Sequence, residues 1–131
     1  MASIFSRIIK GEIPCHKLAE TEDYLAFLDI MPLVKGHALV IPKLEVDYIF
    51  DLAPELLGDL MKFAQTIAPA IKKAIPCKRV GVAVIGLEVP HAHVHLVPMN
   101  RMLDINFSQE KMKPSAESLA KTAELIRSVL L

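Results

Sequence analysis

One segment, VPHAHVHLVP at positions 89–98, places histidine at every second position, at His91, His93 and His95. Alternate side chains of a β-strand point to the same face of its sheet. We therefore expect a strand over His91–Val97 whose three histidines share one face, while the apolar residues between them face a hydrophobic core. A strand that only supports a fold normally carries Val, Thr or Tyr at such positions, so this row indicates chemistry.

The rest of the hydrophobic pattern predicts four further strands and three helices. The predicted strands are Lys17–Glu20, Tyr24–Ile30, His37–Pro42 and Arg79–Ile85. Apolar residues recur at helical spacing between Asp51 and Ile75, which predicts a long amphipathic helix that Pro69 must kink or divide. A short helix is expected near the N-terminus, around Ile4–Ile9, and a last helix is predicted to begin at Pro114.

The order of these elements predicts the fold class. The strands follow one another through short turns, without the regular alternation of strand and helix that builds a parallel sheet. We expect an α+β domain in which a five-stranded antiparallel meander is flanked by helices. A chain of 131 residues is the size of one ordinary domain. We therefore predict a single domain over residues 1–131, with its core in 4–98 and an irregular segment and helix in 99–131.

Composition limits the partners and the compartment. Fifteen Lys and Arg residues stand against fifteen Asp and Glu residues, so long nucleic acid is a disfavoured partner, whereas a single nucleotide needs only a local site. No apolar run is long enough for a membrane span, and no signal-peptide core is expected. Two cysteines, Cys15 and Cys77, form no disulfide framework, so we expect a cytoplasmic protein without a membrane partner. The 53% hydrophobic content suggests that a second subunit covers part of the surface.

From the residues alone, three interpretations of the histidine row stay open. The first is a chance arrangement on a solvated face. The second is a metal site, but on a regular strand the Cα atoms of His91 and His95 would be about 13 Å apart, so a further ligand such as Glu88, His37 or His16 would be required. The third is nucleophilic catalysis at phosphorus, because a neutral imidazole attacks at pH 7 while neighbouring imidazoles orient it and hold phosphate oxygens.

The histidine row resembles the signature of the histidine triad (HIT) family of nucleotide hydrolases and transferases. Three more segments resemble the family in order and spacing: IFSRIIKGEIP at 4–14, YLAFLDIMP at 24–32 and GHALVIPK at 36–43. Together they cover most of residues 4–98. The resemblance implies a HIT-like fold and a homodimer whose sheets join across the interface, with the long predicted helix contributing to the contact.

The resemblance also implies roles for individual residues. His93 matches the family nucleophile that forms a nucleotidyl-histidine intermediate, His95 matches the histidine that contacts the reacting phosphate, and His91 matches the member that supports the nucleophile's orientation. Asp29 matches the acid that hydrogen-bonds the ribose hydroxyls. The residues that match the apolar enclosure of the base are Phe5, Ile8, Phe27 and Ile30.

The sequence departs from the family pattern just before the histidines. The usual Gly-rich loop with its Asn and Gln is shortened here, and Leu87 takes the Gln position. Glu88 stands where a Ser or Thr often contacts the leaving group. A carboxylate there is expected to repel phosphate unless it is protonated or turned outward, although it is able to protonate an amine leaving group or position water.

A second departure concerns zinc. Some bacterial members bind a structural zinc through two cysteines, a histidine after the third strand and the first histidine of the triad. The corresponding first three positions here are Ser3, Ser6 and Glu45. We therefore predict no zinc at that site, and no cofactor.

The sequence thus predicts a hydrolase that acts at the α-phosphorus of nucleoside 5′-phosphate derivatives, either phosphoramidates or dinucleoside polyphosphates, with a purine nucleotide as substrate. Attack by His93 forms the covalent intermediate, and water releases the nucleoside monophosphate. Two alternatives remain. One is a slow or inactive nucleotide-binding regulatory module, which the missing Asn, Gln and Ser favour. The other is a metal-dependent hydrolase that uses His91, His93 and Glu88.

Overall fold

A computed structural model describes residues 2–130 and has the predicted α+β architecture of five antiparallel strands and three helices. The helices are α1 (Ile4–Ile9), α2 (Pro54–Ala74) and α3 (Ala116–Arg127). The strands are β1 (Lys17–Glu20), β2 (Tyr24–Leu28), β3 (Ala38–Pro42), β4 (Arg79–Ala83) and β5 (Val94–Met99). Two short 3-10 turns cover Ile49–Asp51 and Met102–Ile105.

The strand order is β1-β2-β3-β5-β4, which corrects the expected meander. The first three strands do follow one another as a meander, but β5 lies between β3 and β4. The reason is the long connection after β3, because α2 packs across the sheet and carries the chain to its far edge before β4 begins. The free position beside β3 is then filled by β5, and β4 becomes an edge strand.

The histidine segment also differs from the prediction, because β5 begins at Val94 and not at His91. The backbone before it is held by loop hydrogen bonds, in which the N–H of Ala92 donates to the carbonyl of Val46 at 2.7 Å. Of the three histidines in the row, only His95 therefore lies in a strand, where it pairs with Leu39 of β3. The strand continues through Pro98 to Met99. Ala92, Val94 and Leu96 do face the main core, as predicted from the alternation.

Apolar residues pack against both faces of the sheet. One face packs against α2 and α3 in a large core that includes Leu60, Ile67, Ile71 and Ile126. The other face carries a smaller cluster of apolar residues beneath α1. Its buried members are Phe5, Leu25, Phe27, Leu39 and Ile41. The histidines lie at the edge of this smaller cluster.

Two helix boundaries refine the predictions. Helix α2 is continuous through Pro69, so the proline does not divide it. Pro69 is exposed, and its missing hydrogen bond costs about 3 kcal/mol, which the burial of the opposite face offsets. Helix α3 begins at Ala116 and not at Pro114, because the Ser115 hydroxyl accepts from the N–H of Ser118 at 3.1 Å and so caps the helix. No helix within residues 2–130 has the length and apolar character that crossing a membrane requires.

Candidate active site

A cavity of about 460 Å³ lies between α1, the end of β2 and the histidine segment. This volume is within the range of small-molecule sites. Of the nine residues predicted for the site, eight line the cavity: Phe5, Ile8, Phe27, Asp29, Ile30, Glu88, His93 and His95. The ninth, His91, is fully buried behind the wall. Apolar side chains therefore form one end of the cavity, and ionisable groups form the other.

The tautomer of His93 is set by a backbone carbonyl. Its Nδ1 lies 2.7 Å from the carbonyl oxygen of His91, which only accepts hydrogen bonds. In the neutral form of the ring, Nδ1 must therefore carry the proton, and Nε2 has the lone pair. The ring of Phe5 packs edge-on against that of His93, with centroids 5.1 Å apart. This contact and the backbone bond fix the ring and leave an unprotonated nitrogen for chemistry in the cavity.

The tautomer of His95 is set by His37. The N–H of Leu33 donates to Nδ1 of His37 at 3.0 Å, so the proton of that neutral ring is on Nε2. His37 Nε2 lies 2.9 Å from Nδ1 of His95 and donates to it. His95 must then carry its own proton on Nε2. The backbone N–H of Leu33 thus determines, through the ring of His37, that Nε2 of His95 carries a proton and is a hydrogen-bond donor.

Burial keeps both of these rings neutral. It lowers the pKa of His37 to about 4 and the pKa of His95 to about 3, and repulsion from Lys111, and from neighbouring histidines when they are protonated, adds to both shifts. Phe107 covers His95 from the far side, with ring centroids 4.6 Å apart. The pair therefore stays in the hydrogen-bonded arrangement across the physiological pH range.

Both ring nitrogens of His91 are already engaged. Nε2 lies 2.8 Å from the carbonyl of Pro42 and must donate to it, and Nδ1 accepts from the Ser3 hydroxyl at 2.8 Å. Burial lowers the pKa of His91, which keeps the ring neutral. His91 therefore does not line the cavity, and the metal set of His91, His93 and Glu88 is not assembled.

The three positions singled out for the zinc question lie together around His91. Glu45 Oε1 accepts from the N–H of Ser3 at 2.7 Å and from the hydroxyl of Ser6 at 2.6 Å. Zinc is held by thiolate, imidazole and carboxylate ligands, whereas serine hydroxyls are not among its usual ligands. The nitrogen of His91 that would face an ion already accepts a hydrogen bond from Ser3. This donor set does not fit zinc.

Within residues 2–130, another group of potential metal ligands is formed by Asp29, His37 and His95. Asp29 Oδ2 lies 3.7 Å from Nε2 of His37. A cation at this point would have to displace the proton of His37 Nε2 to Nδ1, where the N–H of Leu33 already donates. The hydrogen-bonded chain is therefore the arrangement that this backbone favours.

The cavity also contains a carboxyl group and a cation. Asp29 is half-buried, and its Oδ1 accepts from the N–H of Met31 at 2.9 Å. Burial raises the pKa of Asp29. Lys111 lines the cavity and is half-buried, and no Asp or Glu side chain of residues 2–130 lies within 4.0 Å of its ammonium group. Its positive charge is available for an anionic ligand.

The geometry agrees with comparisons to known proteins. A family model described as HIT domain matches residues 10–102, which include all three histidines of the row. The chain belongs to the HIT domain family. Its HIT sequence is 43% identical over 98 residues to the adenosine 5′-monophosphoramidase HNT1 of Saccharomyces cerevisiae, covering 74% of this chain and 62% of the yeast protein. The matched part thus spans less than two thirds of that relative.

Other HIT proteins resemble the whole chain. The adenylylsulfatase HINT3 of Arabidopsis thaliana is 31% identical over 130 residues, which cover 95% of this chain and 66% of the plant protein. A HIT-like protein of Bartonella henselae superposes with a TM-score of 0.83 at 34% identity, over 96% of this chain and 95% of that one. A zinc-bound histidine triad protein of Mycobacterium smegmatis gives a TM-score of 0.81 at 28% identity, over 99% and 94%.

Three residues of this HIT site were not predicted for it. The sequence suggests His37 only as a metal ligand, and its contact with His95 depends on a strand pairing that local pattern does not show. Phe107 and Lys111 belong to the irregular segment after β5, for which the sequence pattern predicts no function. The available signal was that Phe107 is an isolated aromatic residue in a polar stretch. The backbone bond from Met112 to the carbonyl of Pro32, at 2.9 Å, holds this segment over the site.

Proposed function

We propose that this protein hydrolyses nucleoside 5′-phosphate derivatives at the α-phosphorus through a nucleotidyl-histidine intermediate, with a purine nucleotide as substrate. The observation that carries the proposal is the pair of tautomers in the cavity. The backbone leaves His93 with a lone pair on Nε2, and His37 leaves His95 with an N–H on Nε2. Their rings lie 4.9 Å apart, so a nucleophile and a hydrogen-bond donor face the same space.

The reaction follows from these two nitrogens. As Nε2 of His93 forms a bond to the α-phosphorus, the bond from phosphorus to the leaving group breaks. The Nε2–H of His95 donates a hydrogen bond to the oxygen or nitrogen on which negative charge develops. Water then attacks the same phosphorus, breaks its bond to His93 and releases the nucleoside 5′-monophosphate. The leaving group takes up one proton from solvent beside Glu88 at the mouth of the cavity, and the attacking water returns one proton to solvent, so protons balance over the two steps.

The walls of the cavity support a nucleotide in one orientation. We propose that the apolar end, formed by Phe5, Ile8, Phe27 and Ile30, encloses the base. Asp29 then accepts hydrogen bonds from the ribose hydroxyls, and Lys111 offsets the phosphate charge. Glu88 is exposed at the mouth, where it meets the leaving group. An amine leaving group suits this carboxylate better than an anionic one, in keeping with the yeast relative's name.

We also propose a homodimer, within which the single domain of residues 1–131 is one subunit. Its support is the edge strand β4, whose Val82 is 52% exposed, followed by Val84 at 41%. An unpaired strand edge with exposed β-branched side chains is suited to pairing with a second copy. Helix α2 contributes a partly exposed face with Met61. The cytoplasm is the compartment we propose, because Cys15 and Cys77 are both free thiols.

The test is release of AMP from adenosine phosphoramidate and from a dinucleoside polyphosphate, in the presence of a chelator. We expect the wild type to release AMP and the His93→Ala variant to release none. Binding of AMP without turnover by the wild type would instead identify a regulatory nucleotide-binding module. Activity that persists in His93→Ala would refute the assignment of the nucleophile, and activity abolished by the chelator would point to a metal-dependent reaction.

A further inference from the structure

A polar cluster outside the cavity connects the N-terminal end of α1 to the histidine segment. We call the hydrogen-bonded set of Ser3, Ser6, Glu45 and His91 the Glu45 cluster. Glu45 follows β3 in the loop before α2, and its carboxylate reaches across to the first turn of α1. None of the four residues of the cluster lines the cavity, so the cluster is not placed to contact a ligand directly.

The directions of the short hydrogen bonds in the cluster follow from their donors, and the Ser6 hydroxyl also lies 3.5 Å from Nδ1 of His91. Both donors, the N–H of Ser3 and the hydroxyl of Ser6, point to the same oxygen, Oε1 of Glu45. The Ser3 hydroxyl accepts from the N–H of Ser6 at 3.0 Å as the cap of α1, which leaves its own proton for Nδ1 of His91. These two donors hold the pKa of Glu45 near 2, so the acceptor is a carboxylate at any physiological pH.

The cluster leads to the nucleophile in one further step. The cluster holds the ring of His91. The backbone carbonyl of the same residue accepts a hydrogen bond from Nδ1 of His93 at 2.7 Å. The loop that carries Glu45 acts on the same segment a second time, because the carbonyl of Val46 accepts from the N–H of Ala92. The carbonyl that decides which nitrogen of His93 is protonated is therefore held on both sides by residues 45 and 46.

We propose that Glu45 is a positioning residue, which fixes His91 through Ser3 and Ser6 and so holds His93 with its Nε2 lone pair in the cavity. This inference rests on the proposed function for its effect on rate, but its effect on the His93 ring does not depend on turnover. Glu45 is exposed on the surface, and removing its carboxylate leaves no void in either hydrophobic core. Its variants are therefore expected to fold.

The test compares Glu45→Ala, Glu45→Gln and the control Asp47→Ala, which removes an exposed carboxylate from the same loop. Glutamine keeps one amide oxygen, and one oxygen is all that the two donors use in the wild type. A small displacement of a nucleophile lowers rates by up to about 100-fold. We expect Glu45→Ala to lower kcat by about 10- to 100-fold with little change in KM, and Glu45→Gln and Asp47→Ala to stay within about threefold of the wild type.

A second readout is the ¹⁵N NMR spectrum of the imidazoles, with AMP affinity measured in parallel. The wild type should show His93 protonated at Nδ1, and Glu45→Ala should show a mixture of tautomers. The proposal is overturned if the His93 tautomer is unchanged in Glu45→Ala, or if Ala and Gln at position 45 lower kcat equally. A wild type that shows the expected tautomer and does not turn over would overturn the proposed function instead. If Glu45→Ala does not fold, Ser3→Ala replaces it, because this variant removes the donor to His91. The same change in the His93 tautomer and the same loss of kcat are then expected.

Discussion

Nε2 of His37 lies 2.9 Å from Nδ1 of His95; His37 directly precedes β3 and His95 lies in β5, a strand that is adjacent to β3 in space and distant in sequence. The direction of this hydrogen bond is decided outside the pair, by the N–H of Leu33 on the other side of His37. His95 thereby offers a proton toward the cavity while both rings remain neutral. A donor without a permanent charge stabilises a developing anion without binding phosphate permanently.

Replacing His37 should impair chemistry more than binding. We expect His37→Phe to lower kcat by about 10- to 100-fold, because His95 is then free to adopt the other tautomer. His37→Gln keeps an N–H donor and should retain most of the activity. Steady-state kinetics with adenosine phosphoramidate provide the measurement, and His16→Phe is a matched control at a half-buried histidine outside the cavity. Equal losses in His37→Phe and His37→Gln would contradict the donor role.

The same pair should make stability depend on pH. The folded-state pKa values of His37 and His95, about 4 and about 3, lie below the ordinary 6.5. The unfolded chain then binds more protons, so this contribution to stability is complete above pH 6.5 and is lost as the pH falls toward 3. Carboxyl groups with lowered pKa values, such as Glu20, change the free energy of unfolding only below about pH 4.5.

Urea denaturation between pH 7 and pH 4.5 measures this effect. We expect the free energy of unfolding to fall by an amount on the order of 5 kcal/mol over that range, because each of the two rings contributes about half of it. The double variant His37→Gln, His95→Gln should show a much flatter dependence. A wild-type curve that is flat between pH 7 and pH 4.5 would mean that the two rings are not held neutral in the folded protein.

Lys111 should affect substrate binding. Hydrogen bonds to charged groups contribute about 1.5–3 kcal/mol, so loss of this ammonium group should raise KM by about tenfold or more. We expect Lys111→Gln to show that increase with a smaller change in kcat. Lys113→Gln is the matched control, since Lys113 is exposed and does not line the cavity. Identical KM values for the two variants would exclude a phosphate contact by Lys111.

The Glu45 cluster should be convertible into a metal site. The triple variant Ser3→Cys, Ser6→Cys, Glu45→His would surround Nδ1 of His91 with two thiolates and an imidazole, which zinc binds in tetrahedral sites. We expect one zinc per chain by elemental analysis after dialysis, together with a higher Tm that a chelator reverses. Ser3→Cys alone is the control and should retain none. Failure of the triple variant to bind zinc would show that the backbone positions in the cluster are wrong for a metal.

Much of the site was predictable because its residues follow local rules. The alternation around Val94 and Leu96 correctly places them in the core, and the apolar residues of α1 and β2 that resemble a base-binding wall do line the cavity. The resemblance alone predicts Asp29 for the site, since the hydrophobic pattern extends the strand through it to Ile30, whereas β2 ends at Leu28. The core positions are visible as a side-chain period in a few neighbouring letters, whereas the cavity positions are predicted by the resemblance of whole segments to the family.

The remaining features depend on contacts between distant segments. The contact of His37 with His95 requires β5 to pair with β3, and nothing near either residue indicates that pairing. His91 and His93 lie outside the strand because Val46 accepts a hydrogen bond from Ala92. Phe107 reaches His95 only because its segment is tied back to Pro32. Sequence periodicity contains no information about such tertiary hydrogen bonds.

The position of β5 between β3 and β4 also bears on how the molecule folds. The first three strands form a local sheet, whereas His95 meets Leu39 only after α2 has crossed and the chain has returned. Contacts between such distant residues close slowly, because the loop entropy is lost before the contact forms. The β1-β2-β3 meander is therefore expected to appear first, and the pairing that brings His37 to His95 last. A partly folded chain would have the apolar wall of the cavity contributed by β2 before the two histidines meet.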